Sequence, residues 1–285
     1  MKLKKLYIQN WKSFKTTMVE LNDGLNVLVG PNASGKTNLL DVFKFLNNIP
    51  GLSPTEWTYR QIVYGHDYNK VIQVRLEFDK ETIAVIYHGR KTTITPALYK
   101  NMFDDFRRKI VFITHTAIEN SRRGGSVGFS FNNTPDRITR AMETLFPDLE
   151  LKTSQTPGYL TISAKDKLYG AEIIQPRLPS GLYKLFYILA AIENKPSIIC
   201  IDEIENSLDQ DTLEYLMLEL RNSGVQCLIS TYSPAVVDIA GLENLLLTTR
   251  TPDGSKVRRI ENLDSVKQKM NRLGLTPGEA WIYGL

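Results

Sequence analysis

Apolar positions along the chain switch between two periods, and the switches mark the elements. Residues 25–29 and 197–201 are near-continuous apolar runs, as is 225–230, and such runs read as strands buried on both faces. Between and around them the period lengthens. Leu39, Leu40, Phe43 and Leu46 fall at helical spacing, as do Leu182, Leu185, Phe186 and Leu189, and Leu213, Leu216, Met217 and Leu220. The last of these helices, 212–222, ends before Gly224. The N-terminal stretch differs. Leu6, Ile8, Trp11 and Phe14 flank a polar turn, residues 18–21 read as a second strand, and Asn22-Asp23-Gly24 turns the chain into the third. Residues 71–78 alternate strictly and predict a half-buried strand, paired as a hairpin with 82–87 across Asp79-Lys80-Glu81.

The pattern weakens after residue 90. It predicts a short basic helix over 97–109, a strand at 110–113, and a flexible basic loop at 122–126. A helix is expected from Thr134-Pro135-Asp136 to Phe146, and short strands at 159–163 and 167–174. Residues 245–249 and 255–260 read as a closing hairpin around Asp253-Gly254. Strands alternating with helices give an α/β domain, and no sustained heptad pattern predicts a coiled coil.

One junction between strand and helix carries chemistry. Gly30-Pro31-Asn32-Ala33-Ser34-Gly35-Lys36-Thr37 fits G-x-x-x-x-G-K-[ST], the Walker A phosphate loop, between the strand at 25–29 and an amphipathic helix. Gly30 and Gly35 let backbone N–H groups close on phosphate oxygens at a helix N-terminus. Lys36 is placed to reach β- and γ-phosphates, and the Thr37 hydroxyl to ligate Mg²⁺. The apolar run ending at Ile201 delivers Asp202-Glu203 to a strand mouth. Asp202 suits a Walker B aspartate on Mg²⁺, and Glu203 a general base for water. The expected cofactors are therefore ATP and Mg²⁺.

Composition changes this picture little. The chain has 285 residues, 42% hydrophobic and 23% charged, with a net charge of +4, which permits nucleic acid without requiring it. Cys200 and Cys227 fall in apolar runs and read as reduced core residues. With no run of 18 apolar residues and no apolar leader after Met1, a soluble cytoplasmic protein without a membrane partner is expected. His66, His88 and His115 are too scattered to predict a metal site. Basic clusters at Lys2/Lys4/Lys5, 107–109, 122–123 and 258–259 read first as solvated faces.

Taken in order, Trp11-Lys12-Ser13-Phe14, the phosphate loop, Leu178-Pro179-Ser180-Gly181, the stretch Ile201-Asp202-Glu203-Ile204-Glu205-Asn206-Ser207-Leu208-Asp209 and Ile229-Ser230-Thr231-Tyr232-Ser233-Pro234 resemble an ABC-type ATPase head of the RecF, SMC and OLD-like group. The nearest look is its small AAA-domain members with a short insertion. The resemblance covers 1–78 and 176–249 well and the middle poorly. It implies a discontinuous head, 1–78 and 176–285, with antiparallel N-terminal strands, a parallel core sheet flanked by helices, and a small inserted α+β lobe at 79–175. It further implies that Lys12 contributes to the nucleotide site. Ser180 and Gly181 match the signature that caps the γ-phosphate of an opposite subunit, and 206–209 the D-loop at the same interface. A head-to-tail homodimer formed with ATP follows from that resemblance, whereas read alone a Ser-Gly at a helix start is first a plain N-cap.

Two positions depart from the family pattern. Tyr232 stands where the family's switch histidine is expected, and a phenol cannot relay a proton as imidazole does, so ATP hydrolysis is expected to be slow. No residue marks the Q-loop clearly, Gln61 and Gln73 being the candidates. The leading expectation is an ATPase acting as an ATP-driven dimerising switch on DNA, through the basic lobe, or on an effector protein in repair or defence. The alternative is a nucleotide-binding regulatory subunit with little hydrolysis, partnered with a separate nuclease or toxin. The roughly 36 residues after Thr249 are too few for the TOPRIM nuclease domain of OLD-like proteins. A P-loop kinase or GTPase is disfavoured, because Asp202-Glu203 and Ser180-Gly181 fit ABC-type enzymes and no guanine-reading Asn-Lys-x-Asp occurs.

Overall fold

The computed structural model describes residues 1–49, 59–89, 91–123, 129, 134–156 and 159–284, without the side chains of 155, 156 and 159. The chain opens with β1 (Lys5–Trp11), β2 (Phe14–Glu20) and β3 (Leu25–Val29), then α1 (Lys36–Asn48) and the short α2 (Tyr59–Ile62). Next come β4 (Ile72–Glu77), β5 (Thr82–His88), β6 (Lys91–Thr95), α3 (Lys100–Arg108), β7 (Ile110–Ile113), α4 (His115–Arg122) and α5 (Asp136–Leu145). A small sheet, β8 (Leu149–Thr156), β9 (Tyr159–Asp166) and β10 (Glu172–Ile174), precedes α6 (Ser180–Glu193) and β11 (Ile198–Ile201). The remainder is α7 (Gln210–Asn222), β12 (Cys227–Ser230), α8 (Pro234–Ala240), β13 (Leu245–Thr251), β14 (Gly254–Arg259), α9 (Leu263–Leu273) and α10 (Pro277–Ile282).

Eleven strands form one mixed sheet in the order β6-β5-β4-β1-β2-β14-β13-β3-β12-β11-β7. Its half from β13 to β7 is parallel, and its half from β6 to β14 is antiparallel. Of the parallel strands, β3, β11 and β12 are buried on both faces, and their alternate residues feed two cores. Val27, Val29, Ile199 and Ile201 pack with the apolar faces of α5, α6, α7 and α8, whereas Leu28, Ile198, Cys200 and Leu228 pack with α1 and α3. Both cysteines are buried free thiols whose pKa burial pushes up, that of Cys227 to about 12. Among the described residues no helix is long and apolar enough to cross a membrane.

Residues 79–175 divide between two sheets. β5, β6 and β7 belong to the large sheet, so residue 79 lies in the turn of the β4–β5 hairpin, while the separate three-stranded sheet spans 149–174. Residues 167–174 do not form the single strand that their pattern predicts. Asp166 turns the chain by accepting from the N–H groups of Leu168 and Tyr169, and β10 starts only at Glu172. Residues 122 and 123, expected in a loop, end α4, while 124–126 lie outside the described residues. Arg137 ties α5 to the head through ion pairs with Glu193 on α6 (2.8 Å) and Glu219 on α7 (2.9 Å).

Candidate nucleotide site

The phosphate loop leaves β3 under steric control of the closing hairpin. Gly30 has φ 154°, and a Cβ there would lie 2.2 Å from the Thr248 carbonyl oxygen. Gly35 has φ 112°, and a Cβ there would lie 2.6 Å from Ser255 Oγ. Only glycine permits both approaches. α1 then begins with no side-chain cap and no acidic residue in its first turn, which leaves its N-terminal amides and dipole for an anion. By contrast α4 is capped by Thr114, α7 by Asp209 and α10 by Thr276.

Lys36 is buried and folds back over its own loop, donating to the carbonyls of Gly30 (2.7 Å) and Pro31 (3.2 Å). Burial lowers its pKa to about 8, against the opposing pull of Asp202, Glu203 and Glu205. The Tyr232 ring covers the ammonium, its centroid 3.6 Å from Nζ, a contact worth on the order of 1 kcal/mol. Burial and the same three carboxylates raise the Tyr232 pKa, so the side chain stays a neutral phenol at neutral pH.

At the mouth of β11, Asp202 Oδ1 lies 3.3 Å from Thr37 Oγ1 and accepts from the Ser230 hydroxyl at the end of β12. Burial raises the Asp202 pKa, and the Ser230 and Thr37 hydrogen bonds oppose that rise. Glu203 adopts φ 50°, its N–H donates to Ser230 Oγ (2.8 Å), and its carboxylate accepts from Asn206 (2.6 Å). Glu205 joins this turn to the next strand end, accepting from the Thr231 hydroxyl (2.8 Å) and the Tyr232 N–H (2.6 Å). Lys184 stiffens the turn from below. It is a buried cation on the apolar face of α6 and donates to the carbonyls of Glu203, Ile204 and Asn206 at 3.2, 2.8 and 2.9 Å.

These residues fit a magnesium nucleotide. Thr37 and Asp202 supply two hard oxygens near the separation of about 3 Å expected between adjacent ligands of octahedral Mg²⁺. The Ser34 hydroxyl is buried and unpartnered among the described residues. A cavity of about 270 Å³ beside the loop is lined by Ser13, Ala33 to Asn38, Tyr232 and Arg250. Pro31 and Asn32 are exposed at the loop's turn.

The other expected residues sit elsewhere. Lys12 forms an ion pair with Asp41 on α1 and does not line the cavity. Nor do Ser180 and Gly181, which open α6 against residues 206–209; a Cβ on Gly181 would lie 2.5 Å from the Ser207 carbonyl oxygen. Like α1, α6 has neither a side-chain cap nor a first-turn acid. Gln61 lies in α2 and Gln73 in β4, and neither lines the cavity.

Ser13, Asn38, Arg250, Glu205 and Lys184 were not singled out from the sequence. A lysine set among Leu182, Leu185 and Phe186 is a readable anomaly, and Glu205 lies in the quoted acidic stretch. Arg250 carries no local signal, since its place depends on the pairing of β13 with β14. Of the basic clusters, Arg107 is held by Asp104, Arg122 by Glu119 and the carbonyls of Pro176 and Leu178, and Arg259 by Asn26 and the Glu243 carbonyl.

Comparison with known proteins agrees with this geometry. Residues 1–168 match the family model described as AAA ATPase domain. The chromosome partition protein Smc of Methanococcus voltae is 31% identical over 80 residues, which is 27% of this chain and 7% of that protein. The DNA replication and repair protein RecF of Pediococcus pentosaceus is 48% identical over 46 residues, 16% of this chain and 12% of that protein. The matched stretches thus span only a small part of these relatives. A crystal structure of an Smc head bound to the C-terminal winged-helix domain of ScpA superposes with a TM-score of 0.69 at 16% identity, covering 94% of this chain and all of the other. The chain belongs to the AAA ATPase domain family, has the fold of an SMC head, and resembles SMC and RecF proteins over short stretches.

Proposed function

We propose that this head binds Mg-ATP, closes head to tail with a second copy, and reopens on hydrolysis, passing the change to DNA or to an effector protein. The observation that carries the reading is the meeting of Thr37 and Asp202, 165 residues apart in sequence, at 3.3 Å. In this reading the loop amides, Lys36 and the α1 N-terminus bind the phosphates, and Thr37 and Asp202 hold Mg²⁺. The metal supplies charge neutralisation at the transferring phosphoryl group. Glu203 takes the proton of the attacking water, its carboxylate oriented by Asn206. Ser180 and Gly181, outside the cis cavity at an uncapped helix N-terminus, serve the partner's γ-phosphate.

Glu203→Gln tests the chemistry. Steady-state ATP hydrolysis should fall by roughly 100-fold or more, with nucleotide affinity retained. A variant that hydrolyses like wild type removes Glu203 from the reaction.

Tyr232 favours a second reading, a regulatory subunit with residual hydrolysis, because its ring lies on Lys36 and its phenol keeps its proton. A wild-type rate equal to that of Glu203→Gln selects it, as does a rise in rate on Tyr232→His. DNA as partner would fall to the exposed Arg108, Lys109 and Arg123, since Arg107 and Arg122 are held internally. Such binding should weaken steeply with salt.

A further inference from the structure

The cavity beside the phosphate loop contains a second cation that the reading above does not use. Arg250 lies near the end of β13, its side chain exposed and lining the cavity with Ser13 and residues 33–38. Its place is fixed by strand register. Arg250 pairs directly with Ser255 on β14, and directly opposed residues of an antiparallel pair project to the same face. That face is against the loop: Ser255 Oγ donates to Ser13 Oγ (2.9 Å) and lies 2.6 Å from the Cβ position of Gly35. Two residues earlier on β13, the Thr248 carbonyl abuts Gly30. β13 therefore touches the loop at its first glycine and carries Arg250 out beside its second.

The Arg250 side chain has no hydrogen bond or ion pair with any described residue, whereas those of Arg107, Arg122, Arg137 and Arg259 are all held by carboxylates, amides or carbonyls. Among the described residues no carboxylate lines its cavity. The buried, unpartnered Ser34 hydroxyl does. A planar guanidinium beside hydroxyls and helix-terminal amides is suited to phosphate oxygens, to which it can donate two bonds at once. Asp202 meets the loop at Thr37, whereas the Arg250 rung meets it at Gly35 and also touches Ser13 in the β1–β2 turn.

We propose that Arg250 is a nucleotide-binding residue in cis, gripping the phosphates that ATP and ADP share, on the side of the loop away from the hydrolytic carboxylates. The inference rests on the reading of this cavity as a nucleotide site. It makes the closing hairpin part of the binding pocket, so that affinity depends on β13 as well as on the loop.

The test is equilibrium titration of the full chain with fluorescent ATP and ADP analogues in Mg²⁺, comparing wild type, Lys36→Ala, Arg250→Ala and Arg250→Lys. Arg250→Ala should weaken ATP and ADP alike by roughly tenfold or more, the scale of one charge-assisted hydrogen bond, with Arg250→Lys intermediate. The melting temperature of the nucleotide-free protein should not change, because the Arg250 side chain bonds to no described residue. Loss of ATP but not ADP affinity would place Arg250 on the γ-phosphate and overturn the assignment to the shared phosphates. Unchanged affinity for both, with Lys36→Ala impaired, overturns the role of Arg250 and leaves the site standing. Absence of nucleotide binding by wild type overturns the reading of the site itself.

Discussion

The phosphate loop and the turn after β11 are each fastened by a buried lysine, and the two lysines differ in one respect. Lys36 donates to two loop carbonyls and turns its remaining side to the Tyr232 ring, within a cavity open to solvent. Lys184 donates to three carbonyls of the Glu203–Asn206 turn and does not line that cavity. Burial lowers both pKa values to about 8. The same direction of shift thus accompanies different surroundings. An ammonium with three carbonyl acceptors is saturated and structural, whereas one with two acceptors and a displaceable ring can exchange the ring for a phosphate.

The largest expected effect breaks the open member of the pair. Lys36→Ala should lower ATP affinity by about 100-fold or more, as loss of a charged phosphate contact requires. Its nucleotide-free melting temperature should fall less than that of a Lys184 variant, because two carbonyls rather than three lose their donor.

Lys184→Met should do the reverse. It leaves three carbonyls of the turn without their donor, and a loss of roughly 2–3 kcal/mol in unfolding free energy is expected. Its pH dependence separates it from any ordinary core substitution. Between pH about 8 and 10.5 the unfolded chain binds the Lys184 proton and the folded chain does not, so wild-type stability rises with pH in that window. The variant has no such group, and its deficit should widen from pH about 8 to 10.5 in denaturant titrations. A deficit that closes as pH rises contradicts the burial argument.

Gly181→Ala sharpens the comparison at the other side of the same turn. Its Cβ would sit 2.5 Å from the Ser207 carbonyl oxygen, so residues 206–209 must shift, at a cost of roughly 1–3 kcal/mol in thermal or chemical unfolding. Nucleotide affinity of the monomer should be unaffected. Tyr232→Ala has the smallest effect. Uncovering Lys36 removes a competing contact of on the order of 1 kcal/mol and should tighten nucleotide binding by about fivefold or less. Weaker binding would mean that the ring is itself a ligand contact.

What the sequence disclosed follows the same division. The loop at 30–37, its flanking strand and helix, and Asp202 at the end of an apolar run were legible because each is a local pattern. The parallel strands β3, β11 and β12 were legible because burial on both faces removes polar residues from them. β8 was missed because its C-terminal half, Thr153-Ser154-Gln155-Thr156, is polar, and α9 because it buries only Met270. Arg250 was not legible because its position relative to the loop is set by the register of β13 with β14, a relation that no local window contains. Lys12 illustrates the converse. A motif drew it toward the nucleotide, while the fold pairs it with Asp41, eleven residues past Gly30 on the helix that the loop begins.

In the proposed function the site in one head is half a site, completed by Ser180 and Gly181 of a second copy. Size-exclusion chromatography of Glu203→Gln at micromolar concentration, with and without Mg-ATP, tests it most directly. A shift from monomer to dimer with Mg-ATP, abolished by Ser180→Arg without loss of ATP binding, is the predicted result. A Glu203→Gln protein that binds ATP and remains monomeric would contradict the account.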